Sequence, residues 1–176
     1  MTERLGTGNW GALLTKNRTV FTELGIEAIE KGLADPQLSS FYDSMMSSSG
    51  LVSEKLREHM PYLSLCSDKL DGLAPPPIFY VGRRSSQRTL FGEDWAMQQG
   101  EELRTPDEEL EHASAEAYRA ALEERPYYGY ARTAVDIGGR TVEIAFERLV
   151  IALRPSPQSD RRFCAYFGVI QDLQKL

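Results

Sequence analysis

The chain has 176 residues, 41% of them hydrophobic and 26% charged, which suits one domain with an appendage and excludes a wholly disordered polymer. Its formal net charge of −6 repels phosphate backbones, so nucleic acid is not an expected partner. Its two cysteines, Cys66 and Cys164, make no disulfide framework and are not spaced as metal ligands.

Met1 to Gly6 lack the basic and then apolar regions of a secretory signal. No apolar run approaches the length needed to cross a bilayer. A cytoplasmic address without a membrane partner is therefore expected. In the first third, Leu13, Val20, Phe21, Leu24 and Ala28 recur at three- and four-residue steps, widened by Ile29 and Leu33. That spacing predicts a helix, weakened by Gly25 and Gly32. Asp35-Pro36 is an N-cap followed by a first-turn proline, opening a second helix with a stripe of Leu38, Phe41, Tyr42 and Met45. A third short helix spans 51–59, after the break at 47–50.

Near Pro61 the pattern changes. Residues 61–65 form a short apolar run suited to a strand, Asp71-Gly72 supplies a turn, and Pro75-Pro76-Pro77 enters a strand at 78–81. Three prolines cannot donate ladder hydrogen bonds, so this is a strand entrance or an edge. Helical patterning returns between 85 and 125. Thr105-Pro106-Asp107-Glu108 offers Thr105 as the cap of a helix whose narrow inner face carries Leu110, Ala113, Ala117 and Ala121.

The last third holds two long strands, 128–137 and 140–153, joined by Gly138-Gly139, a two-residue hairpin signal. In the second, Val142, Ile144 and Phe146 alternate with Thr141, Glu143, Ala145 and Glu147 and point inward. The stretch 163–170 is apolar on both faces apart from Tyr166 and Gly168, as in a strand central to its sheet. Two strand groups bracketing a helical segment predict an α+β domain with an antiparallel sheet.

This order, with its local words, resembles the PAS domain. The matching stretches are 85–94 around Phe91-Gly92, with Gly100 after it, then Thr105-Pro106-Asp107, Tyr130-Ala131-Arg132 and Gly139-Arg140. The resemblance covers roughly residues 56–173, and the run Met60-Pro61-Tyr62-Leu63 with Glu147-Arg148-Leu149 is similar to a group of stand-alone bacterial PAS proteins. It implies a five-stranded antiparallel sheet with helices inserted between strands 2 and 3, enclosing a pocket for a small ligand. An N-terminal helical extension, 1–55, would precede a PAS-like domain, 56–176, and either help form a homodimer or cover the outer sheet face. No kinase, cyclase or DNA-binding output segment is expected after Leu176, so a signal would pass through a signalling protein partner or through the dimer. The cofactor, if any, stays open. Flavin photochemistry is not expected, because neither cysteine lies in the reactive Asn-Cys-Arg-Phe motif of the light-sensing PAS domains.

The resemblance makes Tyr118, Tyr130, Ile144, Phe146, Arg148 and Phe167 the pocket candidates, between the sheet and the helix of 110–124. A ligand-binding sensor would keep a cavity there. A ligand-free dimerisation or adaptor protein would fill it with Tyr118, Tyr130, Phe146 and Phe167. Catalysis is not expected, since His59 and His112 are the only histidines and no phosphate-cradling loop is present. Haem ligation by His112 is not expected either, because His112 is rotated about 200° from Leu110 on its helix. The acidic run Asp107, Glu108, Glu109 and Glu111 suits a helix N-terminus better than a metal. Arg148 has three readings: it holds a ligand's carboxylate, it pairs with a protein carboxylate, or a bulge near Glu147-Arg148 turns it outward. Leu149, Ile151 and Leu153, out of phase with the earlier alternation, favour the bulge.

Overall fold

The computed structural model describes residues 19–72, 74–98 and 102–175; Leu13 and Gly100 lie outside them. Its centre is a six-stranded antiparallel sheet. Strand β1, Val20–Glu23, forms one edge, beside β4, Tyr127–Ile137. Then come β5, Arg140–Leu153, and β6, Phe163–Lys175, followed by β2, Leu63–Cys66, and the opposite edge strand β3, Ile78–Val81. The central placing of β6 and the edge placing of β3 agree with the apolar and proline patterns of those stretches.

The β4–β5 hairpin turns at Gly138 and Gly139, with φ of 55° and 80°. Both values lie in the left-handed region that glycine enters without a Cβ clash.

The first expected helix is corrected. Val20-Phe21-Thr22 is a β-branched and aromatic run that pairs with β4, placing Val20 opposite Arg132 and Glu23 opposite Gly129. Gly25, at φ 82°, turns the chain into a short helix α1, Ile26–Glu30. Val20 and Leu24 remain exposed, so the three- and four-residue spacing did not mark a buried stripe. The sheet accordingly has six strands where five were expected.

Helix α2, Pro36–Met46, starts as anticipated. The Asp35 carboxylate accepts from the backbone N–H groups of Gln37, at 2.9 Å, and Leu38, at 3.3 Å. Together with α3, Val52–His59, these helices cover one sheet face, where Leu38, Phe41, Leu56, Leu63, Tyr128, Leu149, Ile151 and Phe167 form a continuous core. Ile29, Leu38, Phe41, Tyr42 and Met45 of the N-terminal segment are thus buried on the outer sheet face of their own chain.

The other face is covered by α4, Ser86–Phe91, α5, Glu93–Ala96, and α6, Glu108–Glu123. Asp107, not Thr105, caps α6: its carboxylate accepts from Leu110 N–H at 2.9 Å and from Asp136 N–H at 3.0 Å, tying the helix start to β4. The buried face of α6 carries Leu110, Ala115, Ala117, Tyr118, Ala121 and Leu122, with Ala113 only half-buried and His112 exposed.

Candidate functional site

The side chains of β5 alternate without a break. Val142, Ile144, Phe146 and Val150 pack towards α4–α6, whereas Leu149, Ile151 and Leu153 pack under α1–α3. The irregularity lies on the neighbouring strand. Pairing jumps from Ala145 opposite Asp172 to Phe146 opposite Ile170, leaving Gln171 as the extra residue of β6. Arg148 therefore stays in phase with Phe146 and points inward, at 2% exposure. The outward-turning bulge is overturned. Leu149, Ile151 and Leu153 are apolar because a helical layer covers their face.

The protein-carboxylate reading is overturned as well. Arg148 Nη1 donates to Ser114 Oγ at 3.2 Å, and the guanidinium carbon lies 5.3 Å from the Tyr127 ring centre and 5.4 Å from that of Phe21. Its Nε is buried without a partner, and no carboxylate among the described residues reaches it. An unpaired buried charge costs several kcal/mol. Two aromatic faces return on the order of 2 kcal/mol each when desolvated, which offsets only part of that cost.

Room for this arrangement comes from glycine. Arg148 lies directly between Gly129 on β4 and Gly168 on β6. A Cβ on Gly129 would meet the Thr22 carbonyl of β1 and the Tyr127 ring, and one on Gly168 would meet Ser86 Oγ and Tyr166. The missing side chains let both tyrosine rings fold over the strand beside the guanidinium. Burial raises the Tyr166 hydroxyl above the usual tyrosine pKa, and the nearby Arg148 charge pulls the other way.

Next to Arg148 a partly open cleft separates α4 and α6 from the sheet. Ser86, Gln87, Thr105, Ser114 and Tyr166 supply its polar groups, and Leu90, Leu110, Ile144, Phe146 and Ile170 its apolar walls. Counting its mouth, the cleft encloses about 400 Å³, of which about 30 Å³ admits the centre of a water molecule. That is room for about two or three waters. The Ser114 hydroxyl also bonds Leu110 O at 2.7 Å, and Gln87 Oε1 is buried with no donor.

Of the pocket candidates, Ile144 and Phe146 line the cleft and Arg148 stands behind its Ser114 wall. Tyr118 is buried elsewhere on the same face, stacked on Tyr166 with ring centres 6.5 Å apart. Phe167 and Tyr130 do not belong to the pocket. Phe167 stacks on Phe41 across the outer face. Tyr130, out of phase with the inward Ala131, receives a 3.5 Å contact from Arg132 Nε. Ser86, Gln87, Ser114 and Tyr166 were missed. A signal existed for one of them, since Tyr166 and the neighbouring Gly168 are the breaks in an otherwise apolar strand, and a glycine inside a strand marks a close approach.

Cys66 and Cys164 face one another across β2 and β6, both fully buried. Burial pushes the Cys66 thiol up to about 12, which leaves it protonated and unreactive at neutral pH. Among the described residues no group of three or more His, Cys, Asp or Glu side chains is placed to hold a metal ion, and no helix is long and apolar enough to cross a membrane.

Comparison with protein-family models, with curated proteins and with solved structures finds no match to this chain.

Proposed function

We propose that the chain is a cytoplasmic PAS-type sensory module that binds a small ligand in the Ser114–Tyr166 cleft. It transmits occupancy through a homodimer or a signalling protein partner and catalyses no reaction itself. With the edge strand β1 set aside, five antiparallel strands remain, with α4–α6 inserted between the second and third. That arrangement, with its cleft between helices and sheet, supports the PAS reading. The observation that carries the binding role is Arg148, a buried cation with no carboxylate partner among the described residues, directly behind a polar cleft wall. A side chain kept only for stability would be apolar there, because a well-packed hydrophobic replacement of a buried charge is often neutral or stabilising.

The small volume of the cleft favours a second reading, a ligand-free dimerisation or adaptor protein using the same fold. Native mass spectrometry of protein purified from its own host separates the two. A stoichiometric bound molecule of low mass is expected. A protein that is uniformly free of ligand, yet pairs with itself or a partner, would establish the adaptor.

A further inference from the structure

We infer that the cleft is built for a small carboxylate that also carries a hydrogen-bond donor, a hydroxy- or amino-carboxylate with a short apolar body. This inference rests on the sensory reading above and names the ligand class of the same site.

Three features select that chemistry. The charge of Arg148 has no counter-ion among the described residues, and its Nε is orphaned, so the ligand supplies a negative group. Ser114 Oγ and Tyr166 lie on the cleft wall beside the guanidinium. They place the negative group at that end, where low polarity strengthens its attraction to the buried cation. Gln87 lines the same cleft and its Oε1 is buried without a donor, so an occupant's O–H or N–H that the side chain turns to meet would satisfy it, because an unmade buried hydrogen bond is unfavourable. Ile144, Phe146 and Ile170 leave only apolar surface for the rest of the molecule.

Size narrows the class. About 30 Å³ open to water centres corresponds to about two or three waters, so a larger occupant must extend into the open mouth of the cleft. Flavin and haem are far larger. Inorganic phosphate has the charge but no apolar body for the Ile144 and Phe146 wall.

Isothermal titration calorimetry of the full chain tests this with lactate, glycine, propionate, lactamide and inorganic phosphate. Lactate or glycine is expected to bind at one per chain. Propionate, which lacks the donor, should bind at least about tenfold more weakly, and lactamide and phosphate should give no saturable heat. Arg148→Met should remain folded by circular dichroism and lose lactate and glycine binding. Gln87→Leu, on a half-buried position of α4, should bring the affinity for lactate down to that for propionate. This second variant decides the matter should Arg148→Met fail to fold. Lactamide binding as well as lactate, phosphate binding best, or Gln87→Leu leaving the lactate–propionate difference intact would each overturn the assignment. Silence from all five probes would overturn it too. In that case a host-derived ligand of another class in the mass spectrum keeps the sensory reading, and an empty protein removes both.

Discussion

Glu147 and Arg148 are consecutive on β5, carry opposite charges and point to opposite faces of the sheet, so neither neutralises the other. Arg148 reaches the Ser114 wall of the cleft. Glu147 is buried beneath the N-terminal helices, where its carboxylate accepts from the Tyr128 hydroxyl, from Gln171 Nε2 and, at 3.0 Å, from the backbone N–H of Asp35. Asp35 is the residue that caps α2. One strand thus ties the cleft on one face to the start of a helix on the other.

Glu147 should therefore be a strong stability determinant although it faces away from the cleft wall. Replacing it with Ala leaves the Tyr128 hydroxyl and the Asp35 N–H without their acceptor. Losing charge-assisted hydrogen bonds and stranding buried donors costs about 2–4 kcal/mol in total. Urea unfolding of Glu147→Ala is expected to show that loss, with Tyr128→Phe costing less. A double-mutant cycle between the two should give a coupling above about 0.5 kcal/mol. Additive losses would mean that the two side chains do not share a bond.

How legible this was in the sequence differs by element. The hairpin could be read from two adjacent glycines, because positive φ is a local demand. Asp35-Pro36 was legible for the same reason, as an N-cap acts within one turn. Strand β1 was not, since a four-residue segment has no period of its own and is fixed only by pairing with Arg132 and Tyr130 on β4. The alternation of β5 was legible as far as Phe146. Beyond it, Leu149 and Ile151 look like a change of phase, because the opposite face passes under α2 and becomes apolar as well. Continued past Phe146 the alternation points Arg148 inward, but that apparent change of phase favours an outward-turning bulge, which the structure overturns. Its aromatic sandwich, which joins Phe21, Tyr127 and Arg148 from three strands, could not be read from any local window.

The turn itself offers a local test. Gly138 and Gly139 hold φ of 55° and 80°, and a left-handed conformation costs a residue with a side chain about 1–2 kcal/mol. Replacing both with valine should lower stability by roughly 2–4 kcal/mol and depress the Tm clearly. A Tm within a degree or so of the parent would mean that the strands meet in another register.

His59 gives the fold a pH dependence of definite sign. Its ring packs edge-on to Phe41, with centres 5.2 Å apart, and burial lowers its pKa while Glu58 opposes the shift. Folded protein then binds the His59 proton less tightly than unfolded protein does. Stability from this residue is complete above the unfolded value of about 6.5. It falls as pH drops below that value, and the loss is complete once the pH is below the lowered folded pKa. The Tm should decline on acidification through this window, and His59→Gln should flatten that part of the decline. An unchanged slope in the variant would show that the ring titrates as it would in water.

Gly168 tests the architecture behind Arg148 without touching the arginine. An alanine Cβ there would lie 2.8 Å from the Tyr166 ring edge and hydroxyl and closer still to Ser86 Oγ. Both groups line the cleft, so the added methyl must push Ser86 away, lift Tyr166 from the strand, or move both. Overpacking of this kind typically costs about 1–3 kcal/mol. Gly168→Ala should therefore lower the Tm, although the substitution favours strand propensity and stiffens the unfolded chain, both of which act in the stabilising direction. Ser86→Ala removes one of the crowded atoms, so the Gly168→Ala, Ser86→Ala pair should recover part of the loss. That recovery is a non-additivity of the same sign as the one expected between Glu147 and Tyr128, because in both pairs the double substitution costs less than the sum of the single ones. If Gly168→Ala instead raised the Tm, or if the pair were additive, the glycine would not be what makes room for Tyr166 beside the buried guanidinium.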